Sequence, residues 1–203
     1  MAISEFMSSI STLKSLLAPG QKAIITTHYN PDSDAIGSTL AFQGYLAKKG
    51  IQATVAVPSA VSANLKWMPG AADILAYDEL IHKVQIDALV EEADFIFCLD
   101  FSGIQRLHNM APIVRKSRAK KVVIDHHLDP EDFGDYYYHR TIAASTCELM
   151  MNSGFIVVAE IDGEVIGVMM GVALAELGIM SLAISGIAVC IGVYIMSCAS
   201  DGL

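Results

Sequence analysis

Between Thr26 and Ser38 the chain reads TTHYNPDSDAIGS, which places His28, Asn30, Asp32 and Asp34 within seven positions. Further on, Asp100 closes the apolar run DFIFCLD, and Asp125, His126 and His127 close KVVIDHH. If these runs are parallel strands, their ends bring the acids and imidazoles to one edge of a sheet. Carboxylates so gathered repel each other unless cations neutralise them, so neutralising Asp100 is expected to relieve the strain. Imidazole nitrogen mixed with carboxylate oxygen suits manganese, zinc or iron better than calcium. Several acids around one point fit two metals sharing a carboxylate and a water, a machine for metal-assisted hydrolysis. No Ser-His-Asp or Cys-His pattern offers a protein nucleophile instead. Each piece has an ordinary explanation by itself: a core histidine at His28, an Asx-type turn in NPDSD capping the next helix, a helix cap at Asp100. The joint placement, each cluster directly after an apolar run, is what points to a metal centre. His82, His108 and His139 lack that placement and read as surface or loop residues.

The elements that must position these groups alternate. SSISTLKSLLAPG has apolar residues at helical spacing and stops at Pro-Gly. KAIITTH reads as a strand, and SDAIGSTLAFQGYLAKKG as a helix with Asp or Ser as cap, lysines in its last turn and Gly50 at its end. QATVAVPS, a shorter ADILAYDE, DFIFCLD, KKVVIDHH and DYYYHR read as strands. RLHNMAPIVRKSRA predicts a helix interrupted near Pro112, and ASTCELMM a helix opened by Ser145 or Thr146 before Glu148. Strands that are apolar throughout, alternating with helices, indicate an α/β fold with a mostly parallel sheet flanked by helices. In such sheets ligands bind at the carboxyl ends of the strands.

Composition divides the 203 residues in two. None of the 13 basic residues lies beyond Arg140, and only five of the 22 acidic ones lie beyond residue 153. The expected division is a catalytic domain over residues 1–155 and an apolar, helical tail over 156–203. Within the tail, Leu177–Ala199 is 23 residues without a charge, long enough for a membrane span. It reads as a C-terminal anchor, with an altered chain end or a buried core element as the alternatives. The net charge of −9 argues against a broad basic surface for duplex DNA. Cys98, Cys147, Cys190 and Cys198 show neither metal nor disulfide spacing, and Cys98 reads as a buried thiol. No long apolar stretch follows a basic start, so no signal peptide is expected. The expected location is cytoplasmic, membrane-associated if the tail is an anchor.

The motifs HYNPDSDAIGS, FCLDFSG and VVIDHHLDP together resemble the first three motifs of the DHH phosphoesterases, named for their Asp-His-His, and ASTCELM resembles a further family helix start. The likeness runs from about Lys22 to Met151. It is nearest to the NrnA-type oligoribonucleases and phosphoadenosine-phosphate phosphatases, which are related to RecJ. The resemblance implies two manganese ions: His28 and Asp32 on one, Asp34 and His126 on the other, and Asp100 bridging both. It implies that Asp125 orients the histidines, that His127 faces the substrate phosphate, and that a metal-activated water attacks phosphorus. Asp100, Asp125 and His127 are then the catalytic set. The family's fourth metal motif, an Asp, is not found as expected; Glu176 in LAELG stands roughly in its place. The Gly-rich, His-containing stretch of the family's second domain is not found either. The function implied is a manganese-dependent phosphoesterase of short oligonucleotides or nucleoside bisphosphates. The alternative is a non-catalytic remnant that binds metal or phosphate. Partners implied are a phosphate-ester small molecule or short single-stranded RNA, and a homodimer is left open.

Overall fold

KAIIT is exposed at its first residue and buried at the next four, as a strand covered on both faces must be. The same holds for FIFCL, buried throughout, and for KKVVID, buried after its first lysine. The computed structural model describes residues 10–152, 158–161 and 164–168. In chain order the elements are α1 (Ile10–Leu16), β1 (Lys22–Thr26), α2 (Ser33–Lys48), β2 (Gln52–Val57), β3 (Leu75–Ala76), α3 (Leu80–Glu92) and β4 (Phe95–Leu99). Then follow α4 (Ala111–Lys116), β5 (Lys120–Asp125), β6 (Tyr136–His139), α5 (Thr146–Asn152), β7 (Val158–Ile161) and β8 (Glu164–Val168).

The first six strands form one sheet in the order β3-β2-β1-β4-β5-β6, every pairing parallel. The chain winds outward from β1 to β3, returns to the other side of β1, and winds outward again through β5 to β6. The winding direction therefore reverses between β1 and β4, the place beyond the strand ends where open α/β sheets bind their ligands. Successive residues feed opposite faces. Ile25, Phe97 and Ile124 pack with Phe42 and Leu46 of α2 on one side, while Ile24, Ile96 and Val123 pack with Ile86, Val90 and Val114 of α3 and α4 on the other. Cys98 is fully buried, and burial pushes its thiol up to about 12, so it is inert.

Helix α2 is capped as its sequence implies. The Asp32 carboxylate accepts the Ala35 N–H at 3.0 Å, and Lys48 lies in the last turn. Gly50, just past the end, has φ +72°, and a Cβ there would meet Pro19 Cβ at 3.2 Å. Three local features depart from expectation. Helix α3 was not anticipated, because Leu80, Ile81 and Val84 are 82%, 79% and 71% exposed while Ile86 and Val90 are buried; apolar residues on both sides blur its period. The break in 104–116 falls at His108 (φ 46°, ψ −122°) within a 3₁₀ segment, not at Pro112. Pro112 sits in the first turn of α4, where its missing N–H loses no helical bond. In the tail, where helix was expected, β7 and β8 pair antiparallel; Val158, Ile161, Val165 and Ile166 favour strand, and Asp162-Gly163 between them is a hairpin signal. Among the described residues no helix is long and apolar enough to cross a membrane. Leu177–Ala199 and Glu176 lie outside the described residues.

Candidate metal centre

His28 lies two residues beyond β1 and is buried. Its Nδ1 is 2.8 Å from the Tyr29 carbonyl. A carbonyl only accepts, so Nδ1 carries the proton and Nε2 is the nitrogen free for a ligand. Nε2 stands 3.7 Å from Asp100 Oδ2. His126, just past β5, repeats the device: Nδ1 donates to the Ala143 carbonyl at 3.2 Å, and Nε2 lies 3.5 Å from Asp100 Oδ1 and 4.0 Å from Asp34 Oδ2.

Asp100 follows β4, the strand between β1 and β5, and is 2% exposed. Its N–H stays in the ladder, donating to the Ile124 carbonyl at 3.0 Å, while φ is 65°. Asp is among the few side chains that tolerate this left-handed turn, which swings the carboxylate between the two imidazoles. Potential ligand atoms of His28, Asp32 and Asp100 lie within 4.8 Å of one another, as do those of Asp100, His126 and His127. Asp100 is common to both groups. Asp32 joins the first group while still capping α2, so its role as a cap leaves it within reach of the same point.

The first residues of helix α5 reach both carboxylates. Asp34 accepts the Thr146 N–H at 2.9 Å and the Cys147 N–H at 3.1 Å, and Thr146 Oγ1 donates to Asp100 Oδ1 at 2.9 Å. Asp125 is fully buried and takes the His127 Nδ1–H at 2.7 Å and its backbone N–H at 3.1 Å. The His127 side chain, 44% exposed, thus has its orientation set from the buried side. His139 corrects the sequence reading: it is buried, opposite Asp125 in the β5–β6 register, with Nε2 on the His127 carbonyl and 3.7 Å from Asp125 Oδ2. His82 sits apart on α3, 3.2 Å from Glu79. Asn30 holds its loop through an N–H bond to Ser59 Oγ at 2.8 Å.

The electrostatics are uneven. Burial pushes the Asp100 carboxyl up, but hydrogen bonds from His126, His28 and Thr146 outweigh it and hold the group well below the usual carboxylate range. The Asp100 contact lifts His126 to about 9. Burial opposes a charged His28, yet Asp100 and the Tyr29 carbonyl raise it. Burial, then the Asp100 charge, push Asp34 up to about 6 despite the α5 amides. Without metal, the proton on His126 therefore carries neutralising charge beside Asp100, and Asp34 is the acid left uncomfortable. The donor set of imidazole nitrogens and carboxylate oxygens around a shared buried carboxylate fits divalent manganese, zinc or iron.

Asp34→Asn is accordingly expected to stabilise the metal-free protein. An acid whose folded pKa is raised from 3.8 to about 6 contributes stability below the lower value and loses it as pH rises through the upper one. Near neutral pH the gain should be about 3 kcal/mol at most, reduced by whatever the two α5 amide hydrogen bonds lose with the carboxylate, and worth several degrees in Tm. Melts of chelator-treated protein near pH 7 and pH 4 check this: a gain that is absent, or equal at both values, sinks it.

The model of the DHH family's N-terminal domain matches residues 22–175. The chain belongs to the DHH family. It is 24% identical over 144 residues to the probable bifunctional oligoribonuclease and PAP phosphatase NrnA of Streptococcus mutans, covering 71% of this chain and 42% of that protein. The crystal structure of an exopolyphosphatase-related protein from Bacteroides fragilis is 39% identical with a TM-score of 0.67, covering 72% of this chain and 44% of that one. RecJ from Thermus thermophilus in complex with Mn²⁺ is 14% identical with a TM-score of 0.43, over 72% of this chain and 19% of that one. The chain spans less than half the length of these relatives.

In this DHH chain the structure brings together seven site residues singled out from sequence, His28, Asp32, Asp34, Asp100, Asp125, His126 and His127, all of them among the described residues. One grouping differs, since His127 rather than Asp34 completes the set around Asp100 and His126. Thr146 and His139 were not recognised. Thr146 was visible only as a helix cap, and no spacing rule links residue 146 to residues 34 and 100. His139 carried one unused signal, its place at the end of an apolar strand beside the one that ends at Asp125. The family match runs 20 residues past the boundary drawn at 155, to residue 175.

Proposed function

We propose that this DHH domain hydrolyses phosphate esters with two divalent cations, manganese by preference. One cation is assigned to His28, Asp32 and Asp100, the other to Asp34, Asp100 and His126. The observation that carries the reading is the buried Asp100 carboxylate, whose two oxygens each face a different imidazole at 3.7 and 3.5 Å. When bound, such cations polarise a phosphate and make a water acidic enough to attack phosphorus. The chain's own residues hold the geometry. Backbone carbonyls fix the protons of His28 and His126 on Nδ1, Thr146 fixes the rotamer of Asp100, and α5 presents two amides to Asp34. Asp125 takes the His127 Nδ1–H and so aims Nε2 outward, where a proton on Nε2 would be the one donated to the substrate phosphate or the leaving oxygen.

Substrates of the class proposed are nucleoside bisphosphates and short oligonucleotides. This is supported by the name of the Streptococcus mutans relative, oligoribonuclease and PAP phosphatase. An acidic chain suits a small or single-stranded ester better than a duplex. The test is release of phosphate from adenosine 3′,5′-bisphosphate, or of mononucleotide from a short RNA, by the full chain. Turnover is expected with manganese and not after chelation. No turnover with two manganese ions bound overturns the proposal; one ion or none bound, again without turnover, identifies a non-catalytic remnant.

A further inference from the structure

Tyr29, next in chain to His28, is 37% exposed, and its ring stacks on that of His108 with centroids 4.2 Å apart and planes 21° apart. His108 is exposed too and takes φ 46° and ψ −122° in the middle of its 3₁₀ segment. A non-glycine residue is rarely found there and persists only where its surroundings hold it. One tie is visible: the Tyr29 N–H donates to the Arg106 carbonyl at 2.8 Å, joining the loop after β1 to that segment. The Arg106 guanidinium is exposed and near enough for its charge to act on His28. Neither ring is needed for the core, whose two clusters include neither residue. The fold thus sets an exposed pair of rings and a cation at the rim of the metal centre.

Resting on the phosphoesterase reading above, we propose that Tyr29 and His108 form a nucleobase subsite, the substrate's base extending the two-ring stack while Arg106 faces its phosphate. Aromatic rings accept any base, because every base has a π-face, and the guanidinium matches phosphate geometry. A ringless polyphosphate gains nothing from the stack. The subsite therefore selects nucleotides over inorganic phosphate chains and is tolerant of which base is presented.

The experiment compares adenosine 5′-monophosphate with ribose 5-phosphate, which carries the same phosphate and sugar without the ring. Calorimetric titration of the full chain in manganese buffer reads the ratio of the two affinities. The expected preference for the nucleotide is about tenfold, the scale of one base–aromatic stack. Tyr29→Ala should bring the ratio close to one, and Tyr29→Phe, which keeps the ring, should retain it. His108→Gly removes the other ring while easing a backbone that glycine adopts freely, so it folds and should also lower the ratio. Equal affinity in the wild type, or a ratio unchanged in both Tyr29→Ala and His108→Gly, overturns the subsite. Manganese stoichiometry in the same samples is a separate readout: a nucleotide preference without bound manganese supports the subsite while sinking the metal-centre reading.

Discussion

Asp100→Asn is expected to reduce metal-dependent phosphate release to background, a loss of about a thousandfold or more. Removing a single electrostatic contact at a transition state costs about a hundred- to a thousandfold, and this side chain is the ligand shared by both groups. An amide has one weakly basic oxygen and no charge, so it cannot serve two cations. The same change should lower the stability of the metal-free protein, by about 1.5–3 kcal/mol for the loss of hydrogen bonds between charged partners. This reverses the expectation from sequence that neutralising Asp100 relieves repulsion. The carboxylate is held charged by Thr146, His126 and His28, and the acid that suffers is Asp34. Because the folded pKa of Asp100 is depressed, its contribution is present at neutral pH and is lost only as the pH falls into strong acid. Activity and chelator-treated melts check the two halves independently. Surviving activity removes Asp100 from the bridging position, and an unchanged or raised Tm near pH 7 removes the account of its charge.

The second large effect is on metal affinity as a function of pH. A metal takes neutral imidazole and ionised carboxylate, so binding expels any proton already there. With His126 raised to about 9, the metal-free site holds an imidazolium at neutral pH. Apparent affinity should therefore climb about tenfold per pH unit between pH 7 and 9, roughly a hundredfold in all. Below about 6, Asp34 is also protonated and a second proton must leave, so the slope should steepen there. Isothermal titration with manganese in buffers of different ionisation enthalpy counts the protons released. A flat profile from pH 7 to 9 contradicts the raised His126. His126→Gln should flatten that part of the curve while weakening binding throughout.

Much of this architecture was legible because the central strands β1, β4 and β5 are apolar runs that lead directly into polar groups. β1, β4 and β5 announce their ends with His28, Asp100 and Asp125, and the carboxyl-end rule does the rest. What escaped depended on contacts across the chain. Thr146 reaches Asp34 over 112 positions, a separation no local pattern encodes. Helix α3 escaped because its apolar residues are not confined to one face, with Leu80 and Ile81 outward. The break at His108 escaped because proline is the stronger local signal, yet the backbone turns four residues earlier, where Tyr29 stacks. The direction of the charge effect at Asp100 escaped for a related reason: counting acids by sequence leaves out the hydroxyl and imidazole protons that the fold delivers to one of them and not to another.

The pairing of β1 with β4 has a consequence for how the chain acquires its site. These strands lie side by side, Ala23 opposite Phe95, although the whole of β2, β3 and α3 intervenes. Closing so long a loop is entropically expensive and is repaid only when the pairing is complete, which makes such contacts slow to form. His28 and Asp100 therefore meet only once the middle of the sheet has been zipped, and a chain that has paired only β4 with β5 holds Asp100, His126 and His127 but lacks the His28 side of the site. A cation that binds the finished arrangement and not the open chain draws the folding equilibrium toward it in proportion to the logarithm of its concentration. A divalent cation held there would then act as a folding ligand as well as a cofactor, and its withdrawal would first be felt as loss of the folded protein.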